Sequence, residues 1–260
     1  MRFRYLLAVL CLLCLGAPLL AENSSKNLLP YISYDPTVGM GYGVLGEAKD
    51  LLHKSESLNL LFNWYENGGW DYGFLFSLPD KAGRYRVLFP LAADLEISGG
   101  RYIDEHFYGF GGKTSAGNCS TYNNDFQLLK IYLARPLLPN LVIKGGINCL
   151  MNSFLNVRQG ANPITPAMQD LARHYMFGSA VLEINNADQD LHPRNGEEIS
   201  AKLDLGIKGG GSQAQFSRLT FDLRKFAAPF HPDHILAGRV ALTQVNGPAI
   251  PLYEYASLGG

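Results

Sequence analysis

The sequence predicts an all-β fold, an antiparallel transmembrane β-barrel. Three observations predict it: an N-terminus with the layout of an export signal, strands that alternate strictly between apolar and polar residues, and connections of two kinds. Ala201, Leu203, Leu205 and Ile207 alternate with Lys202, Asp204 and Lys208, and Leu219, Phe221 and Leu223 alternate with Arg218, Thr220, Asp222 and Arg224. Side chains alternate faces along a strand, so this pattern gives a sheet with one oily and one charged face.

Arg2 and Arg4 precede an uncharged run from Tyr5 to Leu20, and Ala21 is followed at once by Glu22, Asn23, Ser24 and Ser25. A short basic start, an apolar stretch and a small residue before polar chain describe a cleaved secretory signal at residues 1–21. The apolar run is shorter than the roughly 18 residues of a spanning helix. Leu10 before Cys11 is not the small residue that a lipid-accepting cysteine requires.

The strands follow in order. Leu28 to Tyr34 and Met40 to Leu51 flank the turn Asp35-Pro36-Thr37-Val38-Gly39. Leu58 to Tyr65 and Trp70 to Leu78 flank Glu66-Asn67-Gly68-Gly69, a hairpin turn. Tyr85 to Ile97 is a further strand, and a long loop from Gly99 to Asn124 follows it. Phe126 to Arg135 and Leu141 to Met151 are joined by a short turn, and Gly160 to Ala172 is a second long loop with Pro163 and Pro166. His174 to Asn185, Ile199 to Lys208, Phe216 to Phe226 and His234 to Val245 bring the count to about eleven.

Long connections on one side and short ones on the other are the habit of transmembrane barrels. Trp64, Tyr65, Trp70 and Tyr72 cluster at one hairpin tip, as an interfacial aromatic girdle would. A secreted soluble β-sandwich would show the same alternation, with its oily face as core. Strands of about ten residues favour the barrel, because ordinary strands average five or six.

Lys144, Lys202, Asp204, Lys208, Arg218, Asp222, Arg224 and Arg239 all fall in phase with polar neighbours. A lysine or arginine facing lipid at the bilayer midplane costs about 2–4 kcal/mol, so these residues are expected to face the lumen as a charged wall. A hydrated wall with internal ion pairs is one role for it, and contact with a substrate or plug is another.

No catalytic, cofactor-binding or metal residues are expected. Gly41-Tyr42-Gly43-Val44-Leu45-Gly46 fits G-x-G-x-x-G, but a dinucleotide site needs that motif between a strand and a helix. Here Gly39, Gly41 and Gly43 read as one flat strand face that lets another group approach closely. His231 and His234 sit in a proline-containing turn without metal spacing. Serines and histidines are present without a hydrolase constellation, and an outer-membrane phospholipase is the enzymatic rival.

Removing residues 1–21 takes two arginines and no acids, and moves the net charge from −1 to −3. Nucleic-acid binders usually carry a basic footprint, so none is expected as a partner. Cys119 and Cys149 remain; a disulfide is permitted in an oxidising compartment, but Cys149 shares the phase of Ile143 and Ile147 on the oily face.

Several segments together carry a resemblance. Phe107-Tyr108-Gly109-Phe110-Gly111-Gly112, Asp188 with Pro193 and Gly196, Asp222-x-Arg224-x-Phe226 with Pro229, Ile235-Leu236-Ala237-Gly238-Arg239, and Leu252-Tyr253-Glu254 with Leu258-Gly259-Gly260 follow one another in order. In that order and spacing they resemble the bacterial surface antigen family, the outer-membrane assembly barrels that include BamA and TamA. The resemblance implies a sixteen-stranded barrel, of which about eleven strands are present. The partners it implies are outer-membrane lipid and other outer-membrane proteins or the missing C-terminal strands. It also implies a POTRA-less branch, because the first strand begins just after the signal. Ala187 replaces an arginine usual in the family's Asp-x-Arg-Asp-Asn turn, and the family's inward Arg-Gly-Tyr/Phe loop would begin beyond Gly260. The expectation is therefore a barrel domain over 22–260 that is C-terminally truncated, a fragment of an assembly barrel or, alternatively, of a passive pore.

Overall fold

Eleven strands join in one antiparallel sheet whose spatial order is the order of the sequence. The computed structural model describes residues 25–35, 39–52, 54–79, 91–110, 119–188, 193–229 and 234–255. The export signal, most of the turn at Asp35 to Gly39, the first half of the Tyr85 strand, His231, Gly111-Gly112 and Leu258-Gly259-Gly260 lie outside the described residues.

The strands are β1 (Ser25–Asp35), β2 (Gly39–Lys49), β3 (Ser57–Tyr65), β4 (Trp70–Leu78), β5 (Ala92–Phe107), β6 (Ser120–Leu138), β7 (Leu141–Arg158), β8 (His174–Asn185), β9 (Gly196–Ile207), β10 (Gln215–Ala227) and β11 (Leu236–Ala249). One α-helix, α1 (Pro166–Arg173), and a 3-10 turn at Leu252–Glu254 complete the fold. β1 pairs only with β2 and β11 only with β10, so the sheet curls without closing among the described residues. This is an incomplete barrel.

Two predicted loops are partly regular structure. β5 continues to Phe107 and β6 begins at Ser120, inside the expected loop from Gly99 to Asn124. Gly99 and Gly100 read as turn signals, yet they sit inside the sheet where neighbouring strands approach closely. A Cβ at Gly100 would stand 2.5 Å from the Trp70 carbonyl oxygen. Beyond them a register shift between Tyr102 and Glu105, with Asp104 at φ 54°, breaks the two-residue period that marks a strand. Ser120, Tyr122 and Asn124 look like loop residues by composition, but all three are buried against the inner face. In the second expected loop, Thr165 caps α1 by accepting a hydrogen bond from the Met168 N–H at 3.2 Å, and Pro166 follows at the first turn. A Thr-Pro pair is a helix start as well as a loop signal.

The expected alternation of long and short connections holds only in the middle of the sheet. At one rim, residues 108–119 and 159–173 are long against 139–140 at the other. At that same rim β1 and β2 are separated by residues 36–38 alone, and β3 and β4 by 66–69.

Burial separates the two faces. Leu129, Ile131 and Leu133 of β6, Ile143 and Ile147 of β7, Leu203 and Leu205 of β9, and Leu219 and Phe221 of β10 are 37–56% exposed. On the other face Asn63, Asp71, Asn124, Asn148, Asn152, Ser179 and Asp204 are at most 8% exposed. A soluble sandwich has the opposite arrangement, and no second sheet covers the oily face among the described residues. Charged pairs mark the ends of the outward band. Arg101 donates to Asp125 (Nε to Oδ1, 2.6 Å) near the long-loop rim, and Lys225 meets Glu197 at 3.2 Å near the other.

Candidate functional site: the polar inner face

A chain of hydrogen bonds and ion pairs crosses the inner face from β6 to β10. The Tyr132 hydroxyl donates to Asn148 Oδ1 (3.1 Å), Asn148 Nδ2 donates to Ser179 Oγ (2.8 Å), and Ser179 Oγ donates to Asp204 Oδ1 (2.5 Å). Asp204, with 0% of its side chain exposed, also takes Arg218 through Nε (2.9 Å) and Nη2 (2.6 Å), and Lys202 Nζ lies 3.1 Å from its Oδ1. Antiparallel pairing with a two-residue period produces this meeting. Asp204 stands opposite Ser179 in β8 and opposite Arg218 in β10, so all three point the same way. A buried carboxylate is stable only when paired and hydrogen-bonded, and Asp204 has both.

The chain then leaves the sheet. Arg218 Nη1 forms an ion pair with Glu254 Oε2, and the Tyr175 hydroxyl donates to Glu254 Oε1 at 2.9 Å. Glu254 belongs to the 3-10 turn beyond β11, so residues 251–254 fold back over the inner face. Next to it, the Tyr253 hydroxyl lies 3.2 Å from both Glu105 Oε2 and Tyr122 Oη, on β5 and β6. Burial, then the neighbouring Tyr122 and Glu105, pushes the Tyr253 phenol well above the ordinary tyrosine value. Lys202 Nζ and Arg218 Cζ lie 5.7 and 5.6 Å from the centre of the Phe177 ring, within cation–π range. Phe110, Met168, Leu171, Ile250, Leu252 and Tyr255 enclose a half-open apolar cavity of about 170 Å³ between α1 and the returning segment.

A second polar cluster lies under β1 to β4. Asn63 Nδ2 donates to Asp71 Oδ1 (2.8 Å), the Tyr65 hydroxyl donates to Asp71 Oδ2 (2.6 Å), and the Tyr31 hydroxyl donates to Asn63 Oδ1. Tyr31 reaches Asn63 by lying flat across β2. A Cβ at Gly43 would stand 2.4 Å from both Tyr31 Cζ and Asn63 Oδ1. The Gly41 to Gly46 motif is therefore a platform for a tyrosine inside a strand, with strand β3 next and no helix after it.

The predicted wall residues fall in four settings. Lys202, Asp204 and Arg218 form the chain described above, and Lys144 pairs with Glu183 at 2.5 Å. Asp222, Arg224 and Arg239 form an outer group. Arg239 Nε donates to Asp222 Oδ2 (2.9 Å), and Arg224 lies 3.4 Å from Asp222 and 3.5 Å from Glu198. Lys208 stands apart, exposed and just past the end of β9. In the tryptophan and tyrosine cluster at the β3–β4 hairpin, Trp64, Trp70 and Tyr72 lie outward, and Trp70 stacks on Tyr72 at 6.1 Å. Tyr65 lies inward on Asp71 instead of joining the girdle. Both Cys119 and Cys149 are free. Sequence reasoning missed Tyr175, Ser179 and Asn148, although their phase along β7 and β8 would have placed them inside. Nothing periodic marks Glu254, which lies beyond the last strand.

No family model matches the chain, and no curated protein matches it. Among solved structures it is similar to BamA from Haemophilus ducreyi lacking POTRA domains 1–3, with a TM-score of 0.60 and 16% sequence identity. The likeness covers 92% of this chain and 45% of that one, so the chain spans less than half of the structure it matches. The fold is that of part of a BamA-like barrel.

Proposed function

We propose that residues 22–260 form a partial outer-membrane β-barrel, exported by a signal at residues 1–21 and without enzymatic activity. The observation that carries this reading is the inverted burial, with apolar side chains exposed outward and asparagine, serine and aspartate buried inward. Contiguous apolar surface on this scale is unfavourable in water and is what lipid covers. Each backbone group left unpaired in hydrocarbon costs several kcal/mol, so the free edges of β1 and β11 call for further strands, from the same protein or another chain.

Within that class, the reading is an assembly barrel like those of the bacterial surface antigen family. Its fold likeness to BamA supports it, and so does the inward return of residues 251–254, which leaves less room for a passive pore. The charged wall then serves as a hydrated, internally neutralised support for that segment. Expression in a Gram-negative host followed by fractionation tests the location. Heat-modifiable, protease-resistant protein in the outer membrane is the expected result, and recovery from the culture supernatant sinks the reading. Stable insertion of residues 22–260 alone as a monomer refutes the need for further strands. Conductance in planar bilayers, set beside an assembly assay on depletion of the protein, separates a pore from an assembly factor.

A further inference from the structure

The outward face carries one group of side chains unlike the aliphatic band around it. Cys149 and Met151 are two apart on β7, His174 and Met176 are two apart on β8, and the register sets Cys149 opposite Met176 and Met151 opposite His174. Four residues with soft or borderline donors thus form a square at the end of β8, directly after α1. Cys149 Sγ and His174 Nε2 lie 3.5 Å apart across its diagonal. Two ligands bound to one ion at thiolate and imidazole distances of about 2.3 and 2.0 Å, at a tetrahedral angle, stand roughly 3.5 Å from each other. The pair is hydrogen-bonded at this distance, and a shared ion would not need to move the two groups apart.

We propose that Cys149, His174 and Met176 form a binding site for a soft monovalent ion of the copper(I) class, with Met151 at its edge. Directly opposed strand residues have Cβ atoms about 4.5–5.5 Å apart, a gap that a methionine thioether can bridge by turning about its flexible stem. Thiolate and thioether donors select copper(I) over harder ions. No group of three histidine, cysteine or acidic residues suited to a metal occurs among the described residues, so the donor set does not fit zinc or calcium. The neighbouring turn shapes the site. A Cβ at Gly210 would stand 3.0 Å from Met176 Cε, and one at Gly211 would stand 3.1 Å from His174 Nδ1. The Met176 N–H also donates to Ser212 Oγ at 3.1 Å, fixing that glycine turn beside the two ligands. Copper(I) replaces the Cys149 thiol proton, which passes to the buffer, so the bound complex carries no net charge on the apolar face.

The test titrates the folded protein in detergent micelles with copper(I) buffered by bicinchoninate. One equivalent should leave the chelator, and X-ray absorption should show mixed sulfur and nitrogen ligands. Cys149→Ser should abolish binding, while His174→Gln and Met176→Leu should each weaken it about 10–100-fold, and Cys119→Ser should change nothing. Heat-modifiable mobility reports folding of each variant. Should Cys149→Ser misfold, Met176→Leu and the absorption spectrum of the unaltered protein decide. Unchanged affinity in Met176→Leu, a ligand shell without nitrogen, or binding of zinc(II) as tight as copper(I) overturns the proposal.

Discussion

The polar cluster under β1 to β4 and the one under β6 to β10 bury similar groups by different means. The first is held by neutral hydrogen bonds around one carboxylate, Asp71, and stays within neighbouring strands. The second collects Asp204 and Glu254 around the Arg218 guanidinium, adds Lys202 on Asp204, and recruits a segment from outside the sheet. The difference teaches where the curl of the sheet is set. The first cluster depends on the flatness of β2, whereas the second joins β8, β9 and β10 to residues 253 and 254, which in turn reach β5 and β6.

Removing Arg218 should break this contrast most severely. Arg218→Ala leaves Asp204 and Glu254 buried without their shared cation, a loss of about 3–5 kcal/mol. A fall in the urea midpoint, with faster proteolysis after Ala249, is the expected result. Gly43→Val should act on the other cluster alone. Its side chain displaces Tyr31 from Asn63 at about 1–3 kcal/mol, seen as a lower midpoint with the Arg218 region still protected.

Tyr253→Phe is the finer probe. It removes the hydroxyl contacts to Glu105 and Tyr122 while keeping the ring, so it should cost about 1 kcal/mol and loosen only residues 250–255 in hydrogen exchange. The smallest effect should come from pH at the β2–β3 turn. Burial raises the Glu56 carboxyl, but backbone N–H groups including those of Leu52 and Lys54 outweigh it and hold the group below the ordinary value of 4.5. A lowered carboxyl stabilises the fold above its unfolded value and loses that contribution as the pH falls through the folded one. Exchange at the Leu52 and Lys54 amides should therefore quicken below about pH 4.5, relative to a Glu56→Gln control whose exchange has no such step.

Much of this was legible in the sequence because a strand repeats every two residues. The phase of Leu203, Leu205 and Phe221 against Lys202, Asp204 and Asp222 gave the two faces, and β4 and β8 have their expected bounds. Legibility failed where the period broke or where composition meant something else. The shift after Tyr102 hid the second half of β5, and Ser120 to Asn124 read as loop because polar residues inside a barrel resemble polar residues in solvent. The ion pair between Arg218 and Glu254 was out of reach, since it depends on how far the sheet curls, a property no local pattern carries.

The unbroken neighbour order of the sheet has a kinetic consequence. Each strand can zip onto the one before it at the low entropic cost of a short loop, so the sheet can grow hairpin by hairpin. Contacts such as Asn63 to Asp71 span 8 residues, while Tyr253 to Glu105 spans 148. That is roughly four doublings of loop length, about 2–3 kcal/mol of extra closure entropy if made before the sheet exists. The return of residues 253 and 254 is thus a late event, a drawstring pulled once β5 to β10 have already shortened the path between its ends.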